Sequence, residues 1–390
     1  LRHTFPYYFY FMKIIYCIRA TYNPGGMERV LLNKVTYLVN KLHWDVTIVT
    51  TDQQGRPPFY PFPEQIRMID LHIDYADDNE KHVFGKITGY LRRRQKHRKA
   101  LATLLMREKA DIVVSLYPSE SSFIPSIPDG SKKVLELHYC KFFRLQYGRS
   151  GLLGLIDRWR TRHDEKIARR FDKFVVLTQE DCGYWGALPN LEMIPNAAMQ
   201  SGECHSDVSQ PRVIAVGRLD YQKGFDRLIQ AWEIVQKDAK CRNWQLDIFG
   251  QGEWRDMLQR MIEKAGLDQS AHIHPPTSQI GNEYADSSLL VMSSNYEGFP
   301  MVMIEAMACG LPVVSFDYKC GPRDIIDNGI NGLLVSNGDI EGLAYAIIEV
   351  ISDNAYRKLL SANAKRIVET YSEEAVMAKW IALFSNLIQR

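Results

Sequence analysis

One stretch in the second half of the chain restricts the possible folds more than any other. Residues 289–292 form a short apolar run, a polar loop follows, and Pro300 stands where a helix can begin, because an N–H at that position would have no helical partner. The helix is expected to run to Ala308 and to stop at Gly310, and residues 311–316 form a second buried, partly β-branched run. The order strand, loop, helix, strand predicts a parallel α/β unit.

Two carboxylates lie on either side of the start of this helix. Glu297 belongs to the loop, and Glu305, after seven intervening residues, belongs to an otherwise apolar helix, where an unpaired carboxylate is costly to bury. The backbone N–H groups of Phe299, Met301 and Val302 are expected to point out of the helix start, and such a terminus attracts anions. Backbone donors for a phosphate, next to carboxylates that accept from hydroxyl groups, suit a sugar nucleotide.

The spacing of Glu297 and Glu305, with the sequence Gly-Leu-Pro-Val-Val at 310–314, resembles the donor motif of glycosyltransferase family 4. Members of that family are retaining enzymes with the two-domain GT-B fold, and the resemblance covers nearly the whole chain from Met12. The alternative is a chance pair of glutamates in an ordinary Rossmann-like helix. The flanking Gly-Phe-Pro and Gly-Leu-Pro sequences favour the functional interpretation.

The resemblance implies an α/β protein of the GT-B fold, in which two Rossmann-like domains with parallel sheets face each other across a cleft. Residues 12–197 would form the acceptor-side domain, and residues 211–370 would form the domain that binds the nucleotide sugar. Residues 201–210 are polar and without periodicity, and we expect them to link the two domains. The C-terminal helix, 373–390, is expected to cross back and complete the first domain, with Trp380 among its anchors.

Composition is that of an ordinary globular protein, with 46% hydrophobic and 24% charged residues, and 390 residues suffice for two cores. No apolar run reaches the roughly 18 residues that would cross a bilayer. The net charge is +2, but residues 1–197 hold 30 Lys and Arg against 21 Asp and Glu (+9), whereas the remainder holds 18 against 25 (−7). This asymmetry indicates that the first half faces an anionic partner.

The seven cysteines form no C-x-x-C pair and have no base at a catalytic spacing, which favours reduced thiols in the cytoplasm and gives no support for a catalytic cysteine. Residues 1–11 are strongly aromatic and precede Met12, directly before the first predicted strand. We expect Met12 to be the natural start; the alternative is an aromatic tail that touches a membrane.

A second glycine-rich loop opens the first half. It follows a buried strand at 13–19, contains Gly25 and Gly26, and leads into an amphipathic helix at 27–42. The order is Rossmann-like, although the G-x-G-x-x-G dinucleotide fingerprint is absent. Two glycines allow a ligand to approach the backbone closely. In family 4 the matching loop faces the donor diphosphate and the acceptor; a plain strand-to-helix turn is the alternative.

Three further side chains lie at the ends of predicted parallel strands, where α/β proteins bind ligands. His138 ends the strand at 132–138, and its position matches the histidine that family 4 places beside the transferred sugar; a structural histidine is the alternative. Arg218 and Lys223 follow the strand at 212–216 on one loop, where two cations can neutralise a diphosphate.

The segment Arg92–Lys99 holds six Lys or Arg and one His within eight residues of a long predicted helix. It is either a solvated charged face or a patch that contacts an anionic membrane. Many family 4 enzymes use lipid-linked acceptors, which favours a cytoplasmic protein at the inner face of the cell membrane. Nucleic-acid binding is not expected, because aromatic residues do not alternate with the basic ones and the net charge is small.

The resemblance assigns roles to these groups. Glu297 would hold the donor sugar, Glu305 would accept from the ribose hydroxyls, and the leaving phosphate would take the acceptor proton during same-face attack. The chain contains no Asp-x-Asp, so we expect no metal and no other cofactor. The predicted catalytic residues are Glu297, His138, Arg218 and Lys223, and the predicted substrate-binding residues are Gly25, Gly26, Arg218, Lys223, Phe299, Pro300, Met301, Val302 and Glu305.

The expected reaction transfers a sugar from a nucleotide sugar to a glycan or lipid-linked glycan acceptor in polysaccharide biosynthesis. A UDP-sugar is preferred over GDP-mannose, because residues 315–326 resemble members that build surface polysaccharides from UDP-hexoses or UDP-N-acetylhexosamines. Two alternatives remain open at this point. One is a UDP-sugar 2-epimerase, which shares the GT-B fold, and the other is a protein that binds nucleotide sugars without turning them over.

Overall fold

The computed structural model describes residues 11–75, 83–145, 151–198 and 204–389. The first domain is a seven-stranded parallel sheet in the order β3-β2-β1-β4-β5-β6-β7. Its strands are β1 Lys13–Cys17, β2 Asp45–Thr50, β3 Arg67–Asp70, β4 Ile112–Ser115, β5 Lys132–Glu136, β6 Lys173–Val176 and β7 Leu191–Met193, and its helices are α1 Gly26–Leu42, α2 Val83–Glu108, α3 Gly151–Ala168 and α4 Gln179–Trp185.

The second domain repeats this plan with a six-stranded parallel sheet in the order β10-β9-β8-β11-β12-β13. Its strands are β8 Arg212–Val216, β9 Gln245–Phe249, β10 Ala271–His274, β11 Leu289–Met292, β12 Val313–Asp317 and β13 Gly332–Ser336. Its helices are α5 Phe225–Val235, α6 Arg255–Lys264, α7 Ile280–Ala285, α8 Met301–Ala308, α9 Pro322–Ile325, α10 Ile340–Ser352, α11 Asn354–Ala364 and α12 Val368–Tyr371, before the last helix α13 Glu373–Ile388.

Both sheets are covered on both faces, which is why their strands read as continuous apolar runs rather than as alternating ones. In the first domain, α1 packs on one face, and α2 and α3 pack on the other. The last helix, α13, lies on the α1 face, where Trp380, Leu383 and Phe384 join the core of the first domain. Two Rossmann-like domains, with strand ends that face a common cleft, agree with the fold class predicted from the sequence.

The segment that follows residue 203 is fastened to the second domain along its length. The Ser206 N–H donates to the carbonyl of Cys309 at 2.8 Å, and Arg357 Nε donates to the carbonyl of Val208 at 3.0 Å. Cys204 and Cys309 are joined by a disulfide bond. The expectation that every cysteine is a reduced thiol is therefore wrong for this pair, which the fold brings together across 105 residues of sequence.

The described helices include none whose length and apolar content would let it cross a membrane. The predicted natural start at Met12 and its aromatic leader concern residues 1–11, of which 1–10 lie outside the described residues. Residues 201–203, the first three of the predicted linker, lie outside them as well.

Candidate functional site

The carboxyl ends of both sheets border a cleft that contains three neighbouring cavities, of about 470, 540 and 440 Å³. Arg218 lines all three. The first cavity lies between the domains, with Gly26 and His138 on one side and Glu297 and Phe299 on the other. The second extends along the start of α8, where Val302 and Glu305 line it together with Arg29 of α1 and the Phe249–Gly252 loop. Together they are large enough for a sugar nucleotide.

The loop between β8 and α5 carries the cations predicted to meet a diphosphate. The Arg218 side chain is 68% exposed, and its Nη2 donates to Gln222 Oε1 at 2.7 Å and lies 3.4 Å from Asp220 Oδ2. Lys223 is half-buried instead, and its Nζ donates to Glu297 Oε1 at 2.6 Å. Arg218 is thus the cation that extends into the cleft, whereas the charge of Lys223 is already matched by Glu297.

Glu297 is only 7% exposed, and hydrogen bonds from several neighbouring groups fix its position. Besides Lys223, its carboxylate accepts from Gln222 Nε2 at 3.1 Å and from Ser294 Oγ at 2.8 Å. Its backbone N–H donates to the carbonyl of Lys319 at 2.9 Å, which ties the loop to the end of β12. A carboxylate with this many fixed donors has little rotational freedom, so it can present a defined oxygen to a ligand hydroxyl group.

Gly298, next to Glu297, is where the two domains approach most closely at the site. A Cβ built on this glycine would lie 2.2 Å from the carbonyl oxygen of His138. No larger residue fits without separating the domains at this point. The position of Glu297 and the position of His138 are therefore linked through direct backbone contact.

The start of α8 differs from the prediction in one detail. Pro300 precedes the helix rather than beginning it, and its φ of −82° and ψ of 78° form a tight turn in which the Met301 N–H donates to the Phe299 carbonyl at 3.0 Å. The expectation that the Met301 N–H points freely toward an anion is therefore wrong. The amides of Phe299 and Val302 remain candidates, because both residues line the cleft.

Glu305 occupies the second turn of α8 and lines the second cavity, with 9% of its surface exposed. Burial raises the pKa of its carboxyl group, and the nearby charge of Arg29 opposes that rise. Tyr284 lines the same cavity, and its buried hydroxyl has no hydrogen-bond partner among the described residues. This corner therefore offers a carboxylate and a hydroxyl group to a ligand.

Gly25 precedes α1 and Gly26 is its first residue. Of the two glycines, only Gly26 faces open space. A Cβ on Gly26 would meet nothing within 4 Å, whereas a Cβ on Gly25 would lie 2.1 Å from Glu28 Oε2. Glu28 is buried in the first turn of α1; burial raises its pKa, and hydrogen bonds, one of them with the side chain of Asn23, oppose the rise. Gly25 thus makes room for a carboxylate of the chain itself, and its expected contact with a substrate stays a prediction.

The sequence interpretation missed Glu28 and Arg29, which bring two charges from the first domain to the cleft. A signal was present, since a glutamate at the third position of a helix commonly folds back onto the start of that helix. Arg29 was not predictable in the same way, because its role depends on Glu305, which lies 276 positions later in the chain, across the cleft.

His138 lies two residues beyond the end of β5, with its side chain 6% exposed. Its Nε2 is 3.2 Å from Glu136 Oε1, and its ring borders the first cavity. Lys34 Nζ lies 2.5 Å from the same glutamate oxygen. The histidine thus borders the cleft, and its carboxylate partner, the last residue of β5, lies two positions earlier in the chain.

The basic segment Arg92–Lys99 is less available than its sequence suggests. Arg93 Nη1 donates to the carbonyl of Ile73 at 2.7 Å, Arg94 Nη2 donates to Ser122 Oγ at 3.1 Å, and His97 is buried. The side chains that remain exposed are Arg92, Gln95, Lys96, Arg98 and Lys99.

A larger candidate surface lies on α3, on the same face of the sheet as α2. Leu155, Ile156 and Trp159 are exposed there, the tryptophan by 64%. They alternate with exposed Arg158, Arg160 and Arg162. The sequence predicts a basic amphipathic helix at 152–171, but periodicity alone does not tell which apolar side chains stay outside the core.

One group of possible metal ligands occurs among the described residues. Atoms of Cys140, Asp181 and Cys320, all buried, lie within 4.8 Å of one another. Asp181 already accepts from the Lys141 N–H at 2.8 Å and from Trp185 Nε1 at 3.1 Å, so protein donors satisfy its carboxylate without a cation. These residues come from both domains and join them beside the cleft.

The second domain is similar in sequence to known proteins. Residues 202–367 match the family model described as "Glycosyl transferases group 1". The amylovoran biosynthesis glycosyltransferase AmsD of Erwinia amylovora is 36% identical over 219 residues, 54% of this chain and 61% of that protein. The undecaprenol-linked glycan α-1,4-N-acetyl-D-galactosaminyltransferase of Campylobacter jejuni is 24% identical over 380 residues, which are 96% of this chain and 99% of that protein.

A solved structure shares the whole architecture. The chain superimposes on the crystal structure of S. aureus TarM, determined with fondaparinux, α-GlcNAc-glycerol and UDP, with a TM-score of 0.75 and 18% identity. The superposition covers 96% of this chain and 99% of the other. The GT-B fold predicted from the sequence is therefore confirmed. Together, the matches support a glycosyltransferase of this fold.

Proposed function

We propose that the chain is a retaining glycosyltransferase of the family 4 type, which moves a sugar from a UDP-sugar to a glycan or lipid-linked glycan acceptor in polysaccharide biosynthesis. The observation that carries the proposal is the arrangement around Glu297. A buried carboxylate is fixed by Lys223, Gln222 and Ser294 at the mouth of an interdomain cleft that Arg218 and Glu305 also line.

The donor would lie along the second domain. Glu305 would accept hydrogen bonds from the ribose hydroxyl groups, with its buried position making those bonds strong. Arg218 would offer its planar fork of N–H groups to the diphosphate, helped by the amides of Phe299 and Val302 at the start of α8. Glu297 would hold the hydroxyl groups of the sugar and keep its anomeric carbon toward His138 and the first domain.

The chemical step needs charge stabilisation more than proton abstraction. As the glycosidic bond to the diphosphate breaks, negative charge grows on the leaving phosphate, and Arg218 with the α8 backbone would stabilise it. The leaving phosphate would accept the proton of the acceptor hydroxyl on the same face of the sugar, so the anomeric configuration would be retained. In this account Arg218 and the α8 backbone supply the charge stabilisation that a divalent metal supplies in other transferases.

The donor is proposed to be a UDP-sugar on two grounds. The resemblance in sequence is to members that build surface polysaccharides from UDP-sugars, and TarM, which shares the fold, was crystallised with UDP. A glycan acceptor accords with the amylovoran biosynthesis role in the name of AmsD. An undecaprenol-linked acceptor is named for the Campylobacter jejuni relative, which matches this chain along its whole length.

A lipid-linked acceptor would require the enzyme to work at a membrane surface. The exposed side chains of α3, Leu155, Ile156 and Trp159, could enter the headgroup region while arginines on either side pair with anionic lipids. Arg92, Lys96 and Lys99 of α2 extend this cationic surface on the same face of the first domain. We therefore assign peripheral contact with an anionic membrane to both helices rather than to Arg92–Lys99 alone.

The test is an incubation with single UDP-sugars, without acceptor, followed by proton NMR. A retaining transferase releases UDP slowly and gives a free sugar that first appears in the donor's own anomeric configuration. A UDP-sugar 2-epimerase produces a second UDP-sugar instead, and a non-catalytic binding protein leaves the donor unchanged. Glu297→Gln should lose the release of UDP, and the exposed Glu349→Gln, on α10, serves as the matched control.

A further inference from the structure

A buried chain of contacts leads from the last helix to His138. Lys34 Nζ lies 3.7 Å from the ring centroid of Trp380 on α13, and on its other side it lies 2.5 Å from Glu136 Oε1. His138 Nε2 lies 3.2 Å from the same oxygen. The three polar side chains are each no more than 6% exposed, so water contributes little to holding them.

The neighbouring charged groups fix the protonation state of Glu136, which lies between Lys34 and His138. Burial raises the pKa of Glu136, but Lys34 and His138 outweigh burial and bring that pKa to about 2. Glu136 is therefore a carboxylate at any physiological pH and can only accept hydrogen bonds. A ring nitrogen that faces it must carry its proton, because two acceptors in contact would repel each other.

From this geometry we infer that Glu136 and Lys34 are positioning residues for His138. They hold the imidazole with Nε2 protonated toward Glu136, which leaves Nδ1 as a hydrogen-bond acceptor for a ligand hydroxyl group in the cleft. Lys34 has a second effect, since it shares Oε1 with the histidine and is itself held by Trp380. The last helix thus helps to orient a cleft residue as well as closing the first domain.

Stabilisation of the fold alone does not explain why Lys34 and Glu136 are buried next to His138. A buried ion pair is often no more stable than an apolar pair of the same volume, so Lys34 and Glu136 are not needed merely to fill the space between α1 and β5. A second pair with buried side chains, Lys133 of β5 with Asp129 of the preceding loop, lies at the opposite end of β5, away from the cleft. It provides an internal control of the same chemical kind.

The experiment compares two double variants that each replace an ion pair with apolar side chains. The test variant is Lys34→Met with Glu136→Leu, and the control is Lys133→Met with Asp129→Leu. Removing both partners avoids leaving an unpaired buried charge, which is the change most apt to prevent folding. Long-range proton–nitrogen NMR of the imidazole groups reports the tautomer of His138, with His138→Asn used to assign its signals.

The wild type and the control should show His138 as a single Nε2–H tautomer, and the test variant should show a mixture of tautomers. This readout does not require turnover. The expected effect on catalysis rests on the proposed transfer activity, so UDP release is measured in parallel. It should fall roughly 10- to 100-fold in the test variant, the scale of a displaced catalytic group. UDP affinity should stay unchanged.

Adding His138→Asn to the test variant should lower the rate no further than His138→Asn alone, because both changes remove one function. An unchanged His138 tautomer in a folded test variant would overturn the positioning role, as would rates that multiply in the triple variant. If no UDP-sugar is turned over by the wild type, the proposed function fails, and the tautomer comparison still decides the positioning role.

If neither double variant folds, the single variant Trp380→Leu, which leaves the ion pair in place, is compared with the wild type by the same NMR readout. An unchanged His138 tautomer in that variant would overturn the part assigned to α13.

Discussion

Replacing Glu305 by glutamine should have opposite effects on ligand binding and on folding. The carboxylate is 9% exposed and borders the cavity proposed to hold the ribose. Hydrogen bonds to a charged group contribute about 1.5–3 kcal/mol and those to a neutral group about 0.5–1.5 kcal/mol. The amide should therefore weaken UDP binding by about 1–2 kcal/mol, which is roughly 5- to 30-fold in Kd.

The effect on stability follows from the raised pKa of Glu305, which burial causes. A group with a raised pKa in the folded state contributes its full stability below the unfolded pKa and loses it as the pH rises through the folded pKa. Glutamine carries no charge and avoids that loss. Glu305→Gln should therefore melt at a higher temperature than the wild type at pH 8, and the difference should shrink toward pH 4.

Isothermal titration with UDP and thermal melts at a series of pH values measure the two effects. Glu349→Gln, an exposed change on α10 of the same domain, should leave both unchanged. Equal UDP affinity in the folded Glu305→Gln variant would remove this carboxylate from the nucleotide site. A lower melting temperature at pH 8 would refute the argument from burial and would indicate that the contact with Arg29 dominates.

Three other predictions can be tested separately. Burial raises the pKa of Glu120 from 4.5 to about 7, so the wild type loses stability as the pH rises from 4.5 through 7. At 1.36 kcal/mol per pKa unit, Glu120→Gln should gain about 3 kcal/mol at pH 8 in urea unfolding, and an equal or lower stability would contradict this. UDP-sugar turnover should persist in EDTA, since Arg218 and the α8 backbone replace a metal; complete loss that Mg²⁺ or Mn²⁺ restores would refute it. Vesicles rich in anionic lipid should bind the protein at low salt and release it at high salt, because the Debye length falls to about 3 Å at 1 M. The double variant Trp159→Ser with Leu155→Ser should bind these vesicles more weakly than the control Glu349→Gln. Equal binding by the two variants would show that α3 is only a solvated helix.

Most of the fold was predictable because its signals are local. The helix at 301–308 and the strand at 313–317 follow from one proline, one glycine and two apolar runs, each of which acts within a few residues. The fold class follows from repetition of that unit along the chain. The bond between Cys204 and Cys309 was not predictable in this way, because it depends on how residues 204–208 pack onto the second domain.

The candidate site was predictable where residues lie close together in the sequence. Arg218 and Lys223 share one loop, and Glu297 and Glu305 belong to one loop and the helix that follows it, so the spacing within each pair indicates a common purpose. Lys223 and Glu297 lie on two different loops, and Arg29 and Glu305 lie in two different domains. Neither contact could therefore be derived from spacing in the sequence. The free amide expected at Met301 is absent because Pro300 makes a turn that uses it, a detail of backbone angles that the sequence does not specify.

The central claim is that a nucleotide sugar binds in the interdomain cleft with its diphosphate against Arg218. Titration calorimetry with UDP, GDP and ADP tests it most directly, on the wild type and on Arg218→Ala, with the exposed Arg260→Ala on α6 as the matched control. UDP should bind most tightly, the control should bind as the wild type does, and Arg218→Ala should lose at least about tenfold in affinity without a change in melting temperature. Undetectable binding of all three nucleotides to the wild type, or equal affinity in the Arg218→Ala variant, would contradict the claim.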